Sequence, residues 1–257
     1  MRIATLPLAA SLLAILLAAR AGSSQAHYDF SAEDVRRYGA VCDGKTDDTQ
    51  ALIHAGQSTQ DVYIPESLVC RVTGPLASGI RPGQRWHGGG MIRTDDGFNF
   101  TVFSVAGKVD VVFDGLFGQS GTLGVPYEMA DARFIEFISG SHRGRVVNTG
   151  ITGFQQAVRV HSSTEITIDN NQIIGAYGWG ISIQTRAHAT KITNNRISGT
   201  IHEHGIYVSG STGDPIHAPM VRGNTISGSN YDGIKLTYTD EAVVARNITF
   251  GNGGQGI

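Results

Sequence analysis

The sequence lacks several features by which common protein classes are recognised. Charged residues make up only 16% of 257 residues and the formal net charge is −2, which argues against a general nucleic-acid binder. After Ala19 no apolar run is long enough to anchor the chain in a bilayer. The two cysteines, Cys42 and Cys70, can close one loop in an oxidising compartment, although two separately buried thiols also fit.

The first residues predict an export signal. Arg2 precedes an apolar run, Leu6 to Ala19, that is too short to span a bilayer comfortably. Small residues predict cleavage after Ala26, with Ala21 as the second option. We therefore expect a signal peptide over residues 1–26 and a secreted or periplasmic protein.

Glycine is the residue that the chain has in excess. The 34 glycines mark turns, and no repeated segment has the length and 3.6-residue period of a long helix. Residues 27–257 fit the length of one all-β domain. A single domain made of short strands and tight corners is therefore expected.

A short unit recurs through the second half of the chain. It reads NNQIIG at Asn170, NNRISG at Asn194, GNTISG at Gly223 and RNITFG at Arg246. The repeated asparagines are Asn148, Asn171, Asn195, Asn224 and Asn247. Nine or ten positions after each of them a small residue opens an alternating strand, as in GIYVS at Gly205. Such a constant period of short strands predicts a parallel β-solenoid.

In that solenoid each coil covers the apolar face of the next one. Two sets of aliphatic residues are expected to stack inward: Ile173, Ile197, Ile226 and Ile248, and Val158, Ile181, Ile206 and Ile234. The asparagines are expected to form a ladder at a corner, because their amides bond from coil to coil and tolerate left-handed backbone.

The amino-terminal half is less regular but carries a family pattern. EDVRRYGAVCDGKTDDTQALIHAG begins at Glu33, and DVYIPESLVCRVTGPL begins at Asp61. These stretches resemble the opening of pectate-lyase-superfamily proteins, of the pectate lyase 3-like kind. The matching residues are Val35, Tyr38, Gly39, Ala40, Asp43, Gly44, Asp47, Asp48, Thr49, Ile64 and Pro65. The resemblance implies an all-β, right-handed parallel β-helix with an N-terminal capping helix.

The resemblance also assigns local roles. Thr46 or Asp47 is expected to cap the helix, and Asp47 and Asp48 are interpreted as structural. Cys42 departs from the family pattern and leaves open a local disulfide to Cys70. The cap and first coils are expected in residues 27–76 and the regular coils in 142–257. Since the chain stops where another strand is due, without a closing cap, we expect truncation at the C-terminus.

Alignment of the repeats puts distant residues side by side, roughly 4.8 Å apart from coil to coil. The column just before the small residue contains Gln156, Trp179, His204, Asp232 and Gln255. The outward column of the strand contains Arg159, Ser182, Tyr207 and Lys235. The segments just upstream add Tyr177, His202, Glu203 and Tyr231 to the same outer surface.

This outer surface combines aromatic rings, cations and acid–base groups, which together favour an acidic polysaccharide. Aromatic faces pack on sugar rings, and a cation, here Lys235 or Arg159, neutralises the carboxylate of a uronate. The predicted substrate-binding residues are Arg159, Trp179, Tyr177, His202, Glu203 and Tyr231. No cofactor is certain, but Ca²⁺ is left open because Glu203 and Asp232 offer hard oxygen ligands on adjacent coils.

The predicted catalytic residues are His204, Asp232, Tyr207 and Lys235. In β-elimination or epimerisation a base takes the C5 proton of a uronate, and an acid protonates the leaving oxygen or the opposite face of the ring. We expect His204 to be the base, oriented by Asp232. Tyr207 is the expected proton donor, with Tyr231 as the alternative.

The resemblance implies the fold more than a substrate. The central coils lack the carboxylate motifs of related polygalacturonases, so hydrolysis by a pair of carboxylates is disfavoured. They also lack the calcium-binding aspartates of true pectate lyases. The leading prediction is a secreted polysaccharide lyase. The alternatives are a uronan C5-epimerase and a non-catalytic glycan-binding or adhesion module. The expected partner is a polysaccharide, with no nucleic acid and no membrane span, and the oligomeric state is left open.

Overall fold

The computed structural model describes residues 33–121 and 131–257. Residues 33–257 form one compact unit, and the predicted signal peptide, 1–26, lies outside the described residues. No helix within the described ranges combines the length and apolar character needed to cross a membrane.

The chain winds into the right-handed parallel β-helix that the repeats predict, with three long parallel sheets. The first sheet contains β1 (Glu33–Asp34), β3 (Asp61–Tyr63), β5 (Arg85–His87), β8 (Val112–Asp114), β11 (Arg145–Val147), β14 (Thr167–Asp169), β17 (Lys191–Thr193), β21 (Met220–Arg222) and β25 (Val243–Ala245). The second sheet contains β2 (Asp43–Asp47), β4 (Val69–Val72), β6 (Met91–Thr94), β9 (Phe117–Gln119), β12 (Gly150–Thr152), β15 (Gln172–Ile174), β18 (Arg196–Ser198), β22 (Thr225–Ser227) and β26 (Ile248–Phe250).

The third sheet has only six strands, but four of them are six residues long, longer than any strand of the other two sheets. It contains β7 (Thr101–Ala106), β10 (Arg133–Ile138), β13 (Gln156–His161), β16 (Trp179–Gln184), β19 (Ile206–Ser209) and β23 (Ile234–Thr237). A small fourth sheet pairs β20 (Ile216–His217) with β24 (Thr239–Asp240). From β5 onward the coils repeat the same order of sheets, so residues one coil apart become neighbours.

Aliphatic side chains of successive coils stack through the centre of the solenoid. The predicted inward residues of the third sheet pair in register and are at most 1% exposed: Val158, Ile181, Ile206 and Ile234. In the second sheet Ile173, Ile197 and Ile226 stack in the same way. The prediction for Ile248 is wrong. Ile226 pairs with Thr249, and the one-residue shift turns Ile248 outward, where it is 60% exposed.

An asparagine ladder follows the corner between the first and second sheets. Its members are Asn171, Asn195, Asn224 and Asn247. Each amide oxygen accepts a backbone N–H from the coil before, as Asn195 Oδ1 does from Asn171 at 3.0 Å. Each amide nitrogen donates to a backbone carbonyl, as Asn195 Nδ2 does to Ile168 at 2.9 Å. The ladder thus satisfies buried polar groups at every turn.

Asn148 does not belong to this ladder, so its predicted place is wrong by one position. Thr149 occupies the equivalent place and donates its N–H to Asn171 Oδ1. Asn148 lies in the adjacent column with Asn170 and Asn194, and all three have φ between 54° and 55°. Asparagine tolerates this left-handed backbone at low cost.

The N-terminal helix α1, Thr49–Ser58, has Asp48 as its N-cap residue, so the prediction of Thr46 or Asp47 as the cap is wrong by one or two positions. Asp47 Oδ1 accepts from the N–H and the hydroxyl of Thr49, at 3.1 and 2.6 Å. Asp48 is buried and accepts from the backbone of Val41 and Cys42. Both carboxylates are therefore engaged in folding the N-terminal segment.

The helix packs closely on the first coils. A Cβ added at Gly56 would lie 2.2 Å from the carbonyl oxygen of Gly79, so only glycine fits there. Short 3-10 helices, Val35–Tyr38 and Ala77–Gly79, flank this contact. Cys42 and Cys70 form a disulfide across 28 residues of sequence, which resolves the alternative that the sequence leaves open.

Candidate functional site

The predicted site lies on the outer face of the third sheet, and the strand register confirms the predicted columns. In the histidine column Arg133, Gln156 and Trp179 pair in register. His204 and Asp232 continue it just before β19 and β23 and are joined by a hydrogen bond. The tyrosine column contains Ser104, Glu136, Arg159, Ser182, Tyr207 and Lys235. Period-two alternation turns the tyrosine column away from the aliphatic core. The side chains of Trp179, His204 and Asp232 lie on the same face, because they contact Tyr207 and Lys235 of that column.

His204 is held in one tautomer by the next coil. Its Nδ1 accepts the backbone N–H of Asp232 at 3.0 Å, so a neutral ring carries its proton on Nε2. Burial lowers the pKa of His204 below its ordinary value, although the carboxylates of Asp232 and Glu203 act in the opposite direction. At neutral pH the ring therefore offers an N–H donor at Nε2, which lies 3.9 Å from Glu203 Oε2.

The ring of Tyr207 stacks against two other rings. Its ring stacks on Trp179 at 5.9 Å and 19°, and on His204 at 5.4 Å and 18°. Lys235 is its register partner on β23. Its hydroxyl forms no hydrogen bond within the described ranges, while the ring is only half-buried. Tyr207 thus combines a fixed ring with an available hydroxyl.

Asp232 connects the charged residues of the site. Its carboxylate accepts the N–H of Gln255 at 2.6 Å and lies 3.4 Å from Lys235 Nζ and 3.6 Å from His204 Nδ1. The Asp232 side chain is 14% exposed and that of Lys235 is 45% exposed. Asp232 therefore positions the ammonium group, which remains accessible.

The remaining predicted residues lie just upstream of the strands. The ring of Tyr231 lies 5.7 Å from that of His204, and 52% of Tyr231 is exposed. The rings of Tyr177 and His202 lie 4.5 Å from each other. Contacts thus connect seven of the ten predicted residues: Trp179, Glu203, His204, Tyr207, Tyr231, Asp232 and Lys235. Tyr177 and His202 form a separate pair, and the tenth residue is Arg159.

Arg159 lies away from this cluster. It is three strands from Lys235 along the tyrosine column, a separation of roughly 14 Å at ordinary strand spacing. Its Nη1 lies 3.5 Å from Glu136 Oε2, to which Arg133 Nη1 also lies close, at 3.4 Å. Burial and repulsion from Arg133 lower the pKa of Arg159. Arg159 and Lys235 therefore cannot neutralise the same carboxylate group.

Sequence reasoning missed Arg133 and Glu136, which are both buried. They lie on β10, outside the regular repeats, so no alignment of repeats reaches them. The signal was the segment RFIEFI at Arg133, where charged side chains interrupt an apolar strand. A buried charge requires partners, and each of these two residues supplies one for the other.

Four of the eight buried side-chain polar atoms without a hydrogen-bond partner in the described chain lie on strands of the third sheet or directly before them. They are Arg133 Nε, Gln155 Oε1, Arg159 Nε and Trp179 Nε1. Most buried polar atoms in proteins are paired, so such a cluster calls for an explanation, and functional sites are one of the few places where proteins tolerate it. This favours the third sheet over the other two as the functional face.

The fold and this surface define a class: parallel β-helix proteins with a polar, aromatic-lined outer sheet. A family model described as periplasmic copper-binding protein (NosD) matches residues 126–257, and the chain belongs to this family. None of the curated proteins matches the sequence significantly. The more specific pectate lyase 3-like resemblance remains an interpretation.

Solved structures share the fold. The Agl-KA catalytic domain has a TM-score of 0.74 and 17% identity, over 89% of this chain and 44% of that one. PfbA, a surface adhesin of Streptococcus pneumoniae, has a TM-score of 0.69 and 17% identity, over 85% and 62%. The mannuronan C-5 epimerase AlgE4 A-module of Azotobacter vinelandii has a TM-score of 0.61 and 16% identity, over 87% and 72%. The chain spans less than two thirds of the first two.

Neither of two close groups of potential copper ligands among the described residues offers a complete set of free donor atoms. Cys42, Asp48 and Cys70 are grouped closely, but the sulfurs form the disulfide and thiolates are the ligands that copper needs there. His188 and His217 lie with ring centroids 5.0 Å apart. However, His188 Nδ1 accepts the N–H of His217, which leaves the proton on Nε2 of the neutral ring and no free lone pair for a metal.

Proposed function

We propose that the protein binds an acidic polysaccharide along the third sheet and cleaves it by β-elimination at a uronate. The observation that carries the proposal is Tyr207, whose ring stacks on Trp179 and His204 and whose register partner on the next strand is Lys235. Stacked rings suit sugar faces, and a neighbouring ammonium suits a carboxylate.

The tautomer of His204 argues against the role of base that the sequence predicts for it. The basic lone pair of the neutral ring is on Nδ1, which is occupied by the N–H of Asp232. We therefore assign to His204 the role of an Nε2–H donor to the substrate carboxylate, alongside Lys235. Both groups stabilise the negative charge that develops there when the C5 proton leaves.

Proton transfer is assigned to Tyr207. In its phenolate form the oxygen accepts the C5 proton, and the C5–H electron pair forms the C4–C5 double bond while the C4–O bond breaks. The departing oxygen takes the proton back from Tyr207, so charge and atoms balance over the cycle. Asp232 holds Lys235 and His204 in place throughout.

Arg159 is assigned to a different sugar of the same polymer. Its distance from Lys235 along the column, about 14 Å, means that a chain lying across the strands meets the two cations at separate sugar units. Glu136 holds Arg159 in position. A polymer, rather than a single sugar, is therefore the substrate that uses the whole face.

The alternatives share the surface and differ in product. A C5-epimerase uses the same first step and then reprotonates C5 from the opposite face, a role that we assign to Tyr231, whose ring contacts His204. The test is incubation with alginate, pectate and glycosaminoglycans, with calcium and then with a chelator. Unsaturated-uronate absorbance supports elimination, and altered sugar stereochemistry without cleavage supports epimerisation. Binding without any product leaves a glycan-binding module and removes the proposed reaction.

A further inference from the structure

A cationic trough lies on the first sheet, on a different sheet from the proposed site. It has a volume of about 420 Å³ and is lined by Arg143, Arg145, Glu165, Thr167, Ala189 and Lys191. Three of these side chains are cations and one is an anion. Such a concentration of positive charge is notable in a chain whose net charge is −2.

The strand register sets the geometry of the trough. Arg145, Thr167 and Lys191 occupy one outward column on β11, β14 and β17. Arg145 and Lys191 are thus two strands apart, roughly 10 Å, with the threonine hydroxyl between them. Arg143 and Glu165 lie at the turn before these strands and have left-handed backbone, with φ of 53° and 56°.

Two of the three cations have no anionic partner. Arg143 is paired with Asp110 through contacts of 2.8 and 2.7 Å. Arg145 and Lys191 are exposed and form no ion pair in the described part of the chain. Elsewhere on the same sheet Arg85 has its own carboxylate, Asp114, at 2.8 Å. The two cations are therefore available to a ligand.

We propose that this trough is a second binding site, which takes an anionic polysaccharide across β11, β14 and β17. Arg145 offers a planar fork to a carboxylate or sulfate, Lys191 a point charge, and Thr167 a hydroxyl. A linear polymer fits because the cations follow the solenoid axis at the strand spacing. Nucleic acid is disfavoured because the sequence pI is about 6.5 and such binders are strongly basic.

The site goes beyond the proposed reaction, since it lies on another sheet and needs no catalytic group. It would hold the protein on its polymer independently of turnover. Because both cations are solvent-exposed, its affinity must fall as salt screens the charges.

The test measures binding of the whole protein to immobilised sodium polygalacturonate and sodium alginate, with neutral dextran as reference. Arg145→Gln with Lys191→Gln is expected to weaken binding at low salt about tenfold. The matched control is Arg93→Gln with Arg196→Gln, which removes two exposed cations of the second sheet, and it should change binding less than about twofold.

Equal losses in the two double variants, or none in the first, would overturn the proposal. The proposal would also be wrong if the Arg145→Gln and Lys191→Gln double variant lost binding to single-stranded DNA of matched charge as strongly as it lost binding to the polysaccharides. Single variants at Arg145 and Lys191 cover the case of a poorly folded double variant. A further outcome separates the two proposals. If the wild type binds the polymer without turning it over, and the double variant loses that binding, the proposed reaction is wrong and this binding site is supported.

Discussion

The imidazole of His204 receives a hydrogen bond at Nδ1 from the backbone N–H of Asp232, one coil further along. A backbone donor cannot reverse its role, so this contact fixes where the neutral ring carries its proton. It also couples the chemistry of the site to the stacking of two coils. A side-chain carboxylate at the same place would have favoured the opposite tautomer.

Two substitutions of His204 test the contributions of its two ring nitrogens separately. In His204→Asn the amide oxygen can still accept the N–H of Asp232, but the donor at the Nε2 position is lost. In His204→Gln the amide nitrogen can occupy the donor position, but the acceptor near Asp232 is lost. We expect His204→Asn to lose roughly 100-fold in kcat/KM with little change in thermal stability, because one donor to developing charge is removed.

We expect His204→Gln to show the reverse: lower stability and more of the activity retained. The two measurements are steady-state turnover and the thermal unfolding midpoint. If both variants lose activity equally and neither changes stability, the Nε2 donor assignment is wrong.

Tyr207→Phe tests the proton-transfer role. It keeps the stacked ring and removes only the hydroxyl, so we expect kcat to fall by about 10² to 10⁴ with KM nearly unchanged. Tyr238→Phe is the matched control, since Tyr238 is 58% exposed and outside the site.

If Tyr207→Phe keeps full kcat, Tyr207 is not the proton-transfer residue and another side chain must perform that step. Tyr231→Phe then becomes the decisive variant, because Tyr231 is the other tyrosine in contact with His204.

Acid stability should depend on two histidines. Burial lowers the pKa of His204 and, with the charge of Arg159, that of His161. Unfolding restores the ordinary pKa, 6.5, so below that pH the unfolded state binds more protons and the free energy of unfolding falls. Above it the effect vanishes.

Urea unfolding at pH 7.5 and pH 5 measures this loss. We expect the wild type to lose more stability between the two conditions than His204→Asn does, with His202→Asn as the control. An equal loss in all three proteins would show that His204 does not contribute.

The asparagine ladder supplies a stability prediction. Asn195→Ala removes the acceptor of the Asn171 N–H and the donor to Ile168 in a buried corner. Leaving such groups unpaired costs about 1–3 kcal/mol in the free energy of unfolding. The control is Asn230→Ala, at an exposed position, which should cost less than about 0.5 kcal/mol. Denaturant unfolding decides between them, and equal costs would contradict the structural role of the ladder.

Particular residues show how far the sequence reached. Asn195 and Ile197 recur with the period of the coil, so their places in the ladder and the core follow from spacing. The places of Ile248 and Asn148 could not be predicted in this way. Each lies one residue before the position that the repeat assigns to it, and along a strand a shift of one residue moves a side chain to the opposite face. Glu136 lies where no repeat is visible, so its approach to Arg159 could not be inferred from the period.

The sequence by itself determined the coil, since hydrophobic period, corner asparagines and glycines are local properties of the chain and repeat with it. It also determined which residues share a column, because a parallel register carries one coil onto the next. Only the tertiary structure decided which atoms contact each other. It placed the backbone N–H of Asp232 on His204 Nδ1 and separated Arg159 from Lys235 by three strands. In the described part of the chain it brought no carboxylate into an ion pair with Arg145 or Lys191. Hydrogen-bond direction and charge pairing depend on distances of a few tenths of an ångström, which no spacing along the chain encodes.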